Sequence, residues 1–309
     1  MTGSPTLREL TPTRGFLLGV GAAVVGLLPT VLAGWQPSWP TYPNTPDLFT
    51  GTFLPFSPDL IGLTLGAVVL PGAIIGIALR SRTTGVPGRA EAAATAGLVL
   101  VIAVAALQSV VVTVPRLHPG SSGLLDIAVG LTVTALGLAL SVLVSRVLAH
   151  RTVPAATVAA AVGVVAAGYW WASTLRMLWT WRLQLPDSAL HVIVLLAQYT
   201  PAVLLGIALA WCGWTPRRRL WAWVFALLVF WVGRDVLHAL QLWIIRQSHQ
   251  GLVLDDLADS LVASLPVAVT AVIVGVVGRL VVPRIRRRYR ERSGTRNTAP
   301  PEHAARRNS

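Results

Sequence analysis

The chain has 309 residues, of which 54% are hydrophobic and 12% are charged, and its formal net charge is +13. Soluble domains carry about 25% charged residues, so this composition excludes a chain whose whole surface faces water. The basic residues are all arginine, which excludes a P-loop lysine for phosphate and a Schiff-base lysine. Cys212 is the single cysteine, which excludes an intrachain disulfide.

Eight apolar runs follow one another along the chain, separated by short polar or proline-containing connections. Roughly 20 apolar residues cross a hydrocarbon core of about 30 Å, so each run predicts a transmembrane helix. The predicted spans are 15–34, 60–79, 92–114, 124–145, 155–175, 189–214, 220–245 and 260–282. The sequence therefore predicts an all-α membrane protein with eight spans.

The arginine distribution predicts that both termini lie in the cytoplasm. Segments on the side of the termini carry 20 arginines, whereas the opposite side carries only Arg116, Arg176, Arg182 and Arg246. Positive residues concentrate on the cytoplasmic side of membrane proteins, and two cytoplasmic termini require an even number of spans. We expect a multi-pass protein of a bacterial plasma membrane.

The first run also has features of a signal peptide. Arg14 precedes an apolar stretch, and Val31, Leu32 and Ala33 fit a cleavage pattern of small residues. Removal of this run would leave an odd number of spans, and the run is long enough to cross the membrane. We therefore expect it to remain as the first helix.

The second half of the chain resembles the first at an offset of 130 residues. PGAIIGIAL, which begins at Pro71, matches PAVLLGIAL, which begins at Pro201, and Asp126 coincides with Asp256. An offset of four spans preserves direction across the membrane, so spans two to four are predicted to repeat in parallel as spans six to eight. Parallel repeats occur among secondary transporters, with binding sites between the repeats.

The repeat divides the chain into four parts. A cytoplasmic segment (1–14) precedes two four-helix halves (15–148 and 149–283), and 284–309 form a basic cytoplasmic tail. The tail lacks apolar periodicity and is predicted to be disordered. Its arginines nearest the last span are expected to contact anionic lipid headgroups rather than nucleic acid. They are Arg284, Arg286, Arg287, Arg288, Arg290 and Arg292.

Pro71 and Pro201 lie in the middle of spans two and six. A proline inside a helix removes one backbone hydrogen bond and bends the helix, so a kink is expected at each. Paired proline-interrupted spans in matching halves indicate a substrate path in transporters. The alternative interpretation is that both prolines only shape helix packing.

The seventh span carries the polar residues that are least expected inside a membrane. Arg234 lies about 21 Å into the span from Leu220 at 1.5 Å per residue, and Asp235 follows it. His238 and Gln241 share a helix face with Arg234 because of their spacing. A charge at this depth is unfavourable, so Arg234 is expected to pair with Asp235 or with a carboxylate of another span. The pair would belong either to a binding or proton-relay site or to a polar clamp between helices.

The sixth span adds polar residues in the outer half of the membrane, namely His191, Gln198 and Tyr199. Polar and aromatic residues at the outer end of span five, among them Tyr169, lie at a similar depth. Together they predict a cavity in the second half that opens to the outside. The candidate substrate-binding residues are Arg234, Asp235, His238, Gln241, His191, Gln198 and Tyr199.

No catalytic group, metal or cofactor is predicted. His191 and His238 both approach the outer face, but neither belongs to a ligand motif for haem or a metal. Asp255, Asp256 and Asp259 fit the DDxxD pattern that holds Mg²⁺ against a diphosphate. The second acidic motif that such enzymes need is missing, and these residues are predicted to face outside.

The parallel repeat, the paired prolines and the polar residues of span seven favour a small-molecule permease or exporter. One alternative is a non-catalytic membrane subunit or scaffold, in which the polar residues only pack helices. A second alternative is a membrane-embedded enzyme that acts at the outer face.

Reporter fusions test the predicted topology. Fusions after Arg82, Arg151, Arg219 and Ser309 should report the cytoplasm, because arginine-rich connections stay inside. Fusions near Ser121 or Gln250 should report the outside, and a cytoplasmic signal at Gln250 would contradict the eight-span topology.

Overall fold

The computed structural model describes residues 11–34, 51–56, 60–82, 88–117, 123–178, 187–215, 217–245 and 253–296. These ranges contain eight helices long and apolar enough to cross a membrane, and no strand. The helices are α1 (Pro12–Gly34), α2 (Ile61–Arg82), α3 (Gly88–Thr113), α4 (Gly123–His150), α5 (Val153–Leu178), α6 (Asp187–Cys212), α7 (Arg218–Ile245) and α8 (Val253–Arg296). The predicted all-α membrane fold is thereby confirmed, and the chain is a multi-pass membrane protein.

Helix α8 is much longer than the apolar run that it contains. The run at 260–282 predicted a span, whereas the helix begins at Val253 and ends at Arg296. The backbone of 284–296, for which we expected disorder, is therefore helical. Arginine is a good helix former, and positive charge near a helix C-terminus is favourable. Residues 297–309 and the side chains of the six lipid-facing candidate arginines lie outside the described part.

The same helices pair in the two halves. α1 packs against α2 and α3, and α2 against α4; likewise α5 packs against α6 and α7, and α6 against α8. Pro71 faces Gly26 of α1, where a Cβ would lie 2.6 Å from the proline Cγ. Pro201 faces Gly168 of α5, where a Cβ would lie 3.1 Å from the proline Cγ. This pairing is the one that a parallel repeat requires.

Glycines bring the helices of the first half into close contact. A Cβ at Gly19 of α1 would overlap the carbonyl oxygen of Ala94 in α3, and a Cβ at Gly72 of α2 would overlap that of Ser141 in α4. Helices in a bilayer gain little from burying apolar surface against each other, so small residues that permit close approach carry much of their association.

The outer end of the first half is closed by the segment 51–56. The main-chain N–H of Phe53 donates to the Gln108 side chain at 2.9 Å, and that of Leu54 donates to Ser109 Oγ at 2.8 Å. The ring of Phe56 packs at Gly130 of α4, and both Leu54 and Phe56 are buried. Two side chains of α3 thus hold this segment in the bundle.

Helix α5 joins the two halves. The ring of Tyr169 lies against Gly62 of α2, where a Cβ would be 2.6 Å from Tyr169 Cδ1. The indole N–H of Trp170 reaches the carbonyl oxygens of Val25 and Gly26 in α1, at 3.0 and 3.1 Å. The first half therefore positions the outer part of α5.

A second connection lies at the cytoplasmic end. Arg80 of α2 donates to the carbonyl oxygen of Leu148 at 2.8 Å, at the C-terminus of α4. Its guanidinium also lies 4.9 Å from the ring centroid of Trp211 in α6. One arginine thus caps a helix of the first half and stacks on a helix of the second.

Two glycines on one helix provide a matched test of close packing. Gly19→Ala should lower the free energy of unfolding by about 1–3 kcal/mol, because its Cβ overlaps the α3 backbone. Gly21 has no neighbouring atom within 4 Å of a built Cβ, so Gly21→Ala should be neutral or stabilise by up to about 1 kcal/mol. Unfolding in detergent measures both; equal effects would contradict the packing described for α1 and α3.

Candidate functional site

The second half is packed at the end that is predicted to face the cytoplasm and hollow at the end that is predicted to face outside. Leu205, Leu209, Trp223 and Phe230 belong to a buried cluster that fills the space between α6, α7 and α8. Beyond Phe230 lies a cavity of about 530 Å³, bounded by α5, α6 and α7. Its volume falls within the roughly 300–1,000 Å³ typical of small-molecule sites.

Three polar side chains line the cavity: Tyr169 of α5, Gln198 of α6 and Arg234 of α7. The rest of the lining is apolar apart from Gly168. It is formed by Val164, Val165, Ala172, Ile193, Val194, Ala197, Pro201 and Phe230. Few polar groups in an otherwise apolar concave surface are the usual composition of a ligand site.

The cavity is open because the outer end of α6 stands apart from its neighbours. Val192 and Val194 are 56% and 51% exposed although they point in different directions around the helix. From Pro201 onward one face of α6 is buried. Pro201 removes the hydrogen bond that Ala197 would accept, so the packed and unpacked parts of α6 meet where the helix is weakened.

Arg234 presents a guanidinium to this cavity. The side chain is half-buried and makes neither a hydrogen bond nor an ion pair with any residue that the structure describes. Its main chain is fixed, because the Tyr169 hydroxyl donates to the Arg234 carbonyl oxygen at 2.9 Å. Tyr169 thus fixes the backbone of Arg234 without bonding to its guanidinium.

Asp235 points away from the cavity, towards α8. Its carboxylate is 3% exposed and accepts hydrogen bonds from Ser260 at 2.9 Å and from Ser264 at 2.6 Å. The prediction that Arg234 forms an ion pair with Asp235 is wrong. Consecutive residues of a helix are separated by about 100°, so one side chain faces the cavity and the next faces α8.

The other candidates are distributed around this region. Gln198 lines the cavity, whereas Tyr199, the next residue, packs on the buried cluster. His191 is exposed near the outer end of α6. The side chains of His238 and Gln241 lie outside the described residues.

Tyr169 lines the cavity, but the list of candidate binding residues omitted it. It was visible only as one of several aromatic residues at the outer end of span five, a position typical of an interfacial belt. The signal that distinguishes it lies on another helix: Gly62 and Gly66 of α2, four residues apart, form the surface on which it packs.

Arg234 and Asp235 have no charged counterparts in the first half. At the offset of 130 residues, Val104 stands at the position of Arg234 and Ala105 at that of Asp235. Ser260 corresponds to Gly130, which is covered by the ring of Phe56. The two halves thus share their helix pairing but differ at the residues that carry polar chemistry.

Among the residues that the structure describes, no three His, Cys, Asp or Glu side chains are grouped so that they could hold a metal ion. Comparisons of the chain with protein families, curated proteins and solved structures found no match.

The different surroundings of Arg234 and Asp235 predict different effects on stability. Asp235→Ala should lower the free energy of unfolding by about 1–3 kcal/mol, because two partly buried hydroxyls lose their acceptor. Arg234→Gln should change it by less than about 0.5 kcal/mol, because no described partner is left unpaired. Thermal and denaturant unfolding in detergent would measure both; a larger loss for Arg234→Gln would contradict these assignments.

Proposed function

We propose that the protein is a small-molecule permease or exporter whose binding site is the cavity between α5, α6 and α7. The observation that carries the proposal is the guanidinium of Arg234, which lines this cavity without a partner among the described residues. Charged side chains inside a membrane are energetically unfavourable, and they typically serve a substrate or ion pathway.

The shape of the second half supports a transport cycle. The cavity lies in the outer half of the membrane, and Phe230 and the buried cluster close it towards the cytoplasm. Alternating access requires a site that one set of contacts closes on one side. The packed end of α6, α7 and α8 would then be the part that opens, with Pro201 at the bend.

The scaffold alternative accounts for Asp235 but not for Arg234. A buried carboxylate held by two serines of the neighbouring helix is what a polar clamp between helices requires. A clamp leaves no reason for an arginine beside an open cavity. We therefore assign Asp235 to helix packing and Arg234 to ligand binding.

A ligand screen tests the proposal. Anionic, zwitterionic, cationic and neutral compounds are added to the purified protein, and thermal stability is measured. Anions should stabilise the protein, because an anion completes the pairing of Arg234, and Arg234→Gln should abolish the effect. Any anion that stabilises should also be transported by the wild type in proteoliposomes.

Arg14→Gln is the matched control, because Arg14 is exposed at the cytoplasmic end of α1 and the variant has the same net charge as Arg234→Gln. It should keep both stabilisation and transport. Equal responses of the two variants, or stabilisation by cations alone, would contradict the proposal.

A further inference from the structure

The opening of the cavity lies among side chains that face hydrocarbon. Val194 both lines the cavity and is exposed, and Val192, Leu195 and Leu196 on the same turns of α6 are exposed aliphatic residues. A rim that faced only water would be expected to carry polar side chains. A molecule can therefore reach the cavity sideways from the outer leaflet of the bilayer.

Inside the cavity, one charged group is set in a mostly apolar lining. Ile193 and Val194 lie on the side of α6, and Val164 and Val165 lie on α5, whereas the guanidinium of Arg234 belongs to α7. A hydrocarbon portion fits along the aliphatic walls, because its burial is favourable by about 25 cal/mol per Å². Tyr169 and Gln198 add hydroxyl and amide groups beside the arginine.

The charge of the ligand follows from the state of Arg234. Arginine remains protonated in proteins, and the region around this side chain is apolar. A carboxylate, sulfonate or phosphate can pair with the guanidinium by charge-assisted hydrogen bonds, which a neutral group forms less strongly. A cation would be repelled.

We infer that the ligand is an amphipathic anion, with a carboxylate, sulfonate or phosphate on a hydrocarbon chain, which reaches Arg234 from the outer leaflet beside Val194. The inference rests on the proposed function and specifies its substrate class. It separates the protein from carriers of small hydrophilic anions, whose access route would be aqueous.

Binding of a fluorescent amphiphile tests the inference. The full chain is placed in nanodiscs of phosphatidylcholine, and dansyl-labelled undecanoic acid is titrated while tryptophan-sensitised emission is recorded. The acid should bind saturably. The affinity for its uncharged amide should be lower by about tenfold or more, which is the loss expected when a charge-assisted hydrogen bond is removed. Arg234→Gln should abolish the difference between acid and amide, and Arg234→Lys should keep it.

A pair of substitutions on α6 tests the lateral route. Val194→Trp should reduce binding of the acid, because the larger side chain fills the opening, and Val192→Trp should not. The two valines are similarly exposed, but only Val194 lines the cavity. Unchanged thermal unfolding would show that both variants are folded.

Two further measurements are needed. One distinguishes a lipid from a free amphiphile as the ligand, and the other distinguishes failure of this inference from failure of the proposed function. Competition by phosphatidylglycerol in the nanodisc would assign the site to lipid headgroups, and its absence to free amphiphiles. Equal binding of acid and amide by the wild type would overturn the inference. Binding of methanesulfonate but not of the acid, dependent on Arg234, would overturn it and leave the proposed function standing. If no anion bound in an Arg234-dependent way, both would fall.

Discussion

Helices inside a bilayer gain no hydrophobic stabilisation from packing on one another, because the lipid chains are themselves apolar. Helix association must instead come from close backbone approach at small residues. The two halves differ in where they have glycine. Gly19 and Gly97 bring α1 and α3 into contact. By the offsets that align the prolines and their glycines, α5 has Ala161 and α7 has Leu227 at these positions. Ala161 belongs to the buried cluster of the second half and Leu227 packs on it, so side chains there fill space that close backbone contact removes in the first half.

A second difference between the halves lies at the ends that are predicted to face outside. The first half uses the segment 51–56, held by Gln108 and Ser109, to fill its outer end. At the positions equivalent to Gln108 and Ser109, α7 has His238 and Ala239. Ala239 has no hydroxyl that could accept a main-chain N–H as Ser109 accepts that of Leu54. The first half thus serves as a packed support, and the polar groups and the cavity lie on the side that it supports.

The eight helices and the choice of Arg234 as a candidate residue could be predicted from the sequence, because each depends on a local feature. For the helices this is the length of an apolar run, and for Arg234 it is a charge inside a span. It did not predict where the side chains of α7 point, because rotation of a helix about its axis is decided by its neighbours. Ser260 and Ser264 of α8 bind Asp235 and so separate it from Arg234. Tyr169 was not selected as a binding candidate for the same reason, since the glycines on which its ring packs are far away in sequence. The first part of the tail, 284–296, was predicted to be disordered from its lack of apolar periodicity, whereas α8 continues through it.

The position of Tyr169 has a mechanical consequence. Its ring is enclosed by α2, its backbone belongs to α5, and its hydroxyl binds the main chain of α7 at Arg234. Three helices therefore meet through one rigid side chain with few rotatable bonds. A displacement of α2 would be transmitted to the arginine without passing through the cavity, so the first half, which has Val104 where α7 has Arg234, can still set the position of that charge.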